Sequence, residues 1–342
     1  MRYYAGLDLG GTKIAAGIVD VDSGVVAVRR VIPTPTNGDP EAVLHAMSTL
    51  ILDLIAESGL PVEGIGVGVP AVVDYDTGAT VLVPNIAGDW YQRPVVSTVA
   101  AQTGLPVAIL NDARSFTLAE AVFGAGKGAQ TCVCLTLGTG IGGGVTIDGR
   151  LHMGLKGAAA EFGHQIVDPQ GPLCGCGNYG CLEAKSSGAA MAAQAVQIVN
   201  EHPESALAQI PSDKLTPAAI RDTAAAGDSY AADLLKEAGF YLGIGLANVV
   251  TFFAPDRAVL GGGLTALGDW LLAPALDSLR HHCHTVDLDS VQVVQAALGL
   301  DAGMVGAALW ASQKSTAAQH YAASRAQAAS QQIVSEKEQT VS

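Results

Sequence analysis

The chain has 342 residues, 49% hydrophobic and 15% charged, with 41 glycines and a formal net charge of −14. That length suits two domains, each able to bury a core without disulfide staples. The acidic balance argues against sequence-independent nucleic-acid binding, which needs clustered Lys and Arg, and against docking on anionic membranes.

In chain order, 3-YYAGLDL-9 reads as an apolar strand ending in Gly10-Gly11. Its N-terminal flank, MRYYAGLDLGG, has no apolar h-region and no cleavage pattern, so no signal peptide is expected and a cytoplasmic setting is. The stretch 14-IAAGIVD-20 continues the first strand as a hairpin, and 24-GVVAVRRVI-32 is a third strand stopped by Pro33 and Pro35. Val43, Leu44, Met47, Leu50, Ile51 and Leu54 recur at helical spacing, predicting a helix over 40–58. A buried strand follows at 62-VEGIGVGVP-70, and another at 108-AIL-110 ends in Asn111-Asp112 before a helix from about 113.

The opening then recurs. The segment 134-CLTLGTGIGGGVTIDGR-150 echoes 6-GLDLGGTKIAAGIVDVDSG-24, a repeat at about 128 residues, too long for a solenoid unit. Two domains of similar design follow from it. A Cys/His segment, a helical region from about 186 to 253, the strand 257-RAVLGGGL-264 and a last helix near 302–312 complete the chain. The uncharged run 238-AGFYLGIGLANVVTFFAP-255 carries Asn248, Thr251 and Pro255, which favour a buried helix over a membrane span. The expected division is 1–112, rejoined by the helix near 302–312, then 113–301, with 313–342 as a polar, flexible tail.

Three glycine-rich turns could cradle phosphates: 8-DLGGTK-13, 138-GTGIGGG-144 and 261-GGG-263. Each alone reads equally as a tight turn, and none is a Walker loop, because the spacing differs and no helix follows. Together they describe a cleft between two domains holding a nucleotide. Asp112 at its strand end reads in two compatible ways. It can cap the next helix, and it can take a proton from an attacking hydroxyl while Asn111 holds a neighbouring one.

Cys174, Cys176 and Cys181 form C-x-C-x4-C, with His164 ten residues before the first. Three thiolates and one imidazole are the ligand set of a closed, structural zinc site. A disulfide would leave one cysteine odd. Glu161, His164 and Glu183 sit on that same loop, where they either accept hydrogen bonds from a polyhydroxylated ligand or face solvent. Cys132 and Cys134 alternate on an apolar strand and are expected in the core, and 281-HHCH-284 reads as a surface helix end.

DLGGTK, GVGVP, VPN, LNDA, LGTGIGGG, EFGH, CGCGNYGCLE and VLGGGL appear in this order over residues 3 to 312, and in this they resemble the ROK family of repressors, open reading frames and sugar kinases. The resemblance implies an actin-like, ribonuclease-H-like ATPase fold, two α/β domains closing over a nucleotide and sugar cleft. It implies ATP with Mg²⁺ as phosphoryl donor and a primary hydroxyl of a glucose-like acceptor, a modified hexose or a C7-cyclitol. By position, Asp112 is the general base. Asn85, Asn111, Glu161, His164 and Glu183 are sugar contacts, and His164, Cys174, Cys176 and Cys181 are zinc ligands. Asp8 sits near Mg²⁺, while Gly11, Thr12, Lys13, Thr139 and Gly140 line the phosphates and Gly262 the adenosine side. A homodimer or tetramer is implied as well.

The chain departs from the family pattern at Ala71, where members commonly carry Gly, and at Arg114, where they usually carry Asn. Asp89 is an extra acid in 84-PNIAGDW-90. The rival readings are a sugar-responsive regulator and a non-catalytic sugar-binding protein. The first needs a helix-turn-helix ahead of the DLGGT strand, which here starts at residue 3, and the second a missing Asp112. Polyphosphate as donor would need a basic track.

Overall fold

The computed structural model describes residues 1–84 and 86–315. The described residues divide into two compact units, one of 1–115 with 303–315, the other Phe116–Ala302.

The first unit is built on β1 (Tyr3–Leu9), β2 (Lys13–Asp20), β3 (Val25–Pro33), α1 (Pro40–Ser58), β4 (Val62–Val69), a small β5–β6 hairpin (Val72–Asp74, Ala79–Leu82), α2 (Val95–Thr103), β7 (Val107–Asn111) and the start of α3 (Asp112–Val122). The main sheet has the order β3-β2-β1-β4-β7, antiparallel at the two hairpin pairs and parallel elsewhere. Helix α1 shows how local sequence sets an element. Asp39 caps its start by accepting from the Glu41 N–H at 3.0 Å, Pro40 stands in the first turn, and Gly59 ends it in the left-handed conformation. Its periodic face, Val43, Leu44, Met47, Leu50, Ile51 and Leu54, is buried with Leu7, Ile18, Ile65 and Val67 in one core.

The C-terminal helix, over 302–315, belongs to this unit, and glycine makes room for it. Gly6 and Gly66 are register partners on β1 and β4. A methyl on Gly6 would collide with the Met304 carbonyl, and one on Gly66 with that of Ala307. Trp310 then donates its indole N–H to the Ile109 carbonyl at 2.9 Å.

The second unit repeats the plan with β8 (Thr131–Leu137), β9 (Ile141–Ile147), β10 (Arg150–Leu151), α4 (Leu182–Ser186), α5 (Gly188–Glu201), α6 (Pro217–Ala225), α7 (Ser229–Phe253), β11 (Arg257–Gly261), α8 (Asp269–His282) and β12 (Gln292–Gln295). Its sheet order is β10-β9-β8-β11-β12, with the same antiparallel and parallel pattern. The sequence echo is therefore a duplicated topology, β8–β9 standing for β1–β2. The helical region begins earlier than 186, at Leu182, and the strand expected over 257–264 ends at Gly261. No helix among the described residues is long and apolar enough to cross a membrane, and the run at 238–255 lies mostly within α7. Of the expected tail 313–342, residues 313–315 are helical and the rest lie outside the described residues.

Candidate active site

In the first unit, pairing of Leu9 with Ile14 leaves Gly10 to Lys13 as the turn. Gly10 donates its N–H to the Lys13 carbonyl at 2.9 Å. Two more of the turn's carbonyls are tied back: Thr34 gives its hydroxyl to Gly10 O at 2.7 Å and its N–H to Thr12 O at 3.0 Å. Among the described residues the N–H groups of Gly11 and Thr12 have no partner. A turn with most carbonyls bonded and successive amides left unpartnered can form a nest for an anion, and the exposed Lys13 adds a cation.

Beside it stand two carboxylates. Burial pushes Asp8 up to about 6, with Lys13 pulling the other way. Burial and then the charge of Asp8 push Asp112 up to about 7, against the N–H groups of Ala113 and Asp112 and the Arg114 guanidinium. The cap of α3 is not Asp112. Asn111 accepts from the Arg114 N–H at 3.2 Å and donates to Ala71 O at 3.3 Å, while Asp112 accepts from the adjacent Ala113 N–H at 2.8 Å. With Asn111 as the cap, the Asp112 carboxylate is not needed for that role. A base that titrates near neutrality combines a large ionised fraction with real affinity for a proton.

The second unit carries the matching turn. Gly138 donates to Gly140 O at 3.0 Å, and the carbonyls of Gly138 and Thr139 are held by the N–H groups of Gly188 and Ala189 at 2.9 and 3.2 Å. Again the amides in between, of Thr139 and Gly140, have no partner among the described residues. Gly262, at φ 91°, abuts the end of β8 at the Leu137 carbonyl, where a side chain would collide, so the third glycine turn meets the second.

The candidate metal centre lies in the same unit. His164, Cys174, Cys176 and Cys181 bring their ligand atoms within 4.8 Å of one another. The Cys174 Sγ to His164 Nδ1 distance is 3.6 Å, as is Cys176 Sγ to Cys181 Sγ. Tetrahedral zinc with sulfur bonds of about 2.3 Å sets sulfurs about 3.8 Å apart, so the residues fit. The loop closes through Cys174 N–H to Asn178 O at 2.8 Å and Gly177 N–H to Cys174 O at 2.9 Å.

Glu161 is exposed at the start of the short turn leading to His164. Glu183 is not a free surface acid, since its Oε2 accepts from the Ile141 N–H at 2.8 Å. Asn85 lies outside the described residues. Cys132 and Cys134 are buried on β8 with their sulfurs 3.8 Å apart, and 281-HHCH-284 ends α8 with Cys283 buried.

Sequence reading missed the braces of this unit. Gln165 donates to Phe162 O and Gly245 O at 3.0 and 3.3 Å and accepts from Asn248 at 3.0 Å, fixing the His164 loop to α7. The buried Lys185 pairs with Glu237 at 2.8 Å and Asp168 at 3.5 Å, over the Tyr241 ring. Both have partners far off in sequence, on α7, so no local pattern signals them.

A model of the ROK family matches residues 4–314. A glucokinase of Streptomyces coelicolor is 39% identical over 309 residues, covering 89% of this chain and 95% of that protein. Among solved structures, the ROK hexokinase of Thermus thermophilus superposes with a TM-score of 0.81 at 36% identity, over 92% of this chain and 99% of that one. A ROK family glucokinase of Streptomyces griseus, in complex with glucose and AMPPNP, gives 0.77 at 38% identity, over 91% and 99%. The two α/β units thus share the actin-like ATPase fold of those kinases. With duplicated sheets, paired glycine turns, a Cys3His cluster and relatives matched almost end to end, this chain belongs to the ROK family.

Proposed function

We propose that this protein is an ATP-dependent hexose kinase in which Asp112 is the general base. It is a carbohydrate phosphotransferase, as its family membership and the kinases similar to it support. The observation that carries the assignment of the base is the division of labour at the end of β7: Asn111 caps α3, and Asp112 stays available with its proton affinity raised to about 7.

In this mechanism a primary hydroxyl of the acceptor attacks the γ-phosphorus in line. Asp112 takes the hydroxyl proton, a new O–P bond forms, and the bond to the bridging oxygen breaks to release ADP. The unpartnered amides of Gly11, Thr12, Thr139 and Gly140, with Lys13, stabilise charge on the phosphate oxygens, and Gly262 borders the adenosine. Asp8 is the residue that would hold Mg²⁺, which neutralises phosphate charge when bound. Asn85, Asn111, Glu161, His164 and Glu183 orient the acceptor. Asn111 already spends one amide hydrogen and one lone pair on the protein, leaving one of each for a sugar hydroxyl. His164, Cys174, Cys176 and Cys181 would hold Zn²⁺, and four protein ligands leave no open position, so the ion fixes the loop.

Ala71 and Arg114 shape the acceptor side, the first through its buried methyl and the second through a buried guanidinium beside Asp112. They favour a modified hexose or a glucose-like cyclitol alongside glucose itself. The test is ADP release from Mg-ATP over glucose, mannose, N-acetyl amino sugars, C7-cyclitols and inositols, with Asp112→Asn in parallel. One acceptor driving release that the variant loses establishes both the reaction and the substrate. Equal ADP release by both proteins would remove Asp112 from the mechanism.

A further inference from the structure

Glu183 lies two residues beyond the last cysteine of the metal cluster and stands in the first turn of α4. Its Oε2 accepts from the N–H of Ile141, the residue that closes the second glycine turn, at 2.8 Å. Its Oε1 stands 4.0 Å from Cys174 Sγ. One side chain therefore touches both the metal loop and the turn, across 42 positions of sequence. The same short segment grips the turn twice more, where Gly188 and Ala189 at the start of α5 donate to the carbonyls of Gly138 and Thr139. The segment is itself immobilised. Ser186 donates to Ala238 O at 2.8 Å, and Lys185 is pinned by Glu237 and Asp168. A methyl on Gly140 would collide with Oε2 of Glu183, so the turn and the carboxylate are fitted to each other.

We propose that Glu183 is a positioning residue that transmits the geometry of the metal loop to the Gly138–Ile141 turn, so that occupation of the Cys3His site sets affinity for the nucleotide phosphates as well as for the acceptor. The proposal rests on the reading that this turn holds phosphates. The bond to Ile141 fixes the direction of the peptide just after the two unpartnered amides. Without it the turn can rotate those amides away from an anion. A hydrogen bond to a charged acceptor carries enough free energy to change nucleotide affinity about tenfold or more.

The experiment is titration of Mg-AMPPNP, without sugar, into wild type, Glu183→Ala and Glu183→Gln. Metal content is measured on each, and amide hydrogen exchange is followed in peptides spanning 138–144. We expect Glu183→Ala to keep its metal, weaken nucleotide binding about tenfold and exchange faster over 138–144. Glu183→Gln keeps an acceptor oxygen for Ile141 and should recover most of the affinity. Chelation of the wild type should reproduce the loss, and chelation of Glu183→Ala should add little. A Glu183→Ala protein that retains metal and normal nucleotide affinity overturns the proposal, as does chelation that leaves nucleotide affinity unchanged. Should Glu183→Ala fail to fold, Glu183→Gln and chelation of the wild type still decide it. If AMPPNP does not slow exchange over 138–144 in the wild type, the phosphate reading is what has failed, and the proposal falls with it.

Discussion

Asn111 and Asp112 are adjacent, similar in size, and do different work. Asn111 caps α3 and braces Ala71, while Asp112, the proposed base, accepts from the Ala113 N–H. Replacing Asp112 with Asn should lower kcat by a factor of about 10²–10⁴ while a hexose still binds in calorimetry. Because Asp112 must be ionised to act and titrates near 7, kcat/KM should rise with pH through that value and level off above it. Stability should run the opposite way. The folded values of Asp112 and Asp8, about 7 and about 6, lie above the ordinary 3.8, so the folded state binds more protons between those values. Their contribution is fully present below pH 3.8 and is lost as pH climbs to about 7. Urea midpoints of the ligand-free protein should fall across that interval, and Asp112→Asn should flatten the fall. The motif LNDA marked this pair, but not which member caps. Either side chain can cap, and the choice depends on which Cβ the strand end turns toward the helix.

At the scale of elements, the two hairpins that echo each other in sequence, β1–β2 and β8–β9, share one design. Most of their turn carbonyls are tied back by neighbours, and two successive amides in each have no partner among the described residues. The Leu-x-Leu-Gly echo made the hairpins legible. The tie-backs were not, because Thr34 and Gly188 lie 24 and 50 positions from the carbonyls they hold. Gly6 is a second case. In sequence it is one more glycine in a strand, and in the fold it admits the backbone of the C-terminal helix. Gly6→Val should destabilise by at least about 3 kcal/mol, read as a drop in urea midpoint at constant m. Glu120 is wholly buried on α3 and accepts from the N–H groups of Ala125, Ala297 and Leu298 at 2.8, 3.0 and 2.7 Å. Glu120→Gln turns a donor toward those donors and should cost about 3 kcal/mol in the same assay.

At the scale of the whole molecule, the net charge of −14 leaves the local cations few and specific, with Lys13 beside one turn and Arg114 beside the base. The Cys3His cluster lies within the second unit, on the segment that carries three proposed acceptor contacts, Glu161, His164 and Glu183. Purified protein should contain about one zinc per chain, and chelation should lower Tm, since a ligand bound only to the folded state stabilises it by mass action. A metal-free protein with the same Tm would remove zinc from the account.

The sequence alone determined what is local or carried by chemical type. Helical spacing defined α1, the glycine-ended strands defined the two hairpins, and three thiols with one imidazole defined the ligand set. These need only neighbours a few residues apart or side chains of distinctive chemistry. The tertiary structure decided which groups are already committed: Asn111 to the cap, Glu183 to Ile141, Glu120 to the 297–298 amides, and Gly6 to Met304. Most of those commitments join positions tens to hundreds of residues apart. A hydrogen bond or a backbone contact needs its partner within about 3 Å, and that proximity is set by packing, which no local pattern encodes.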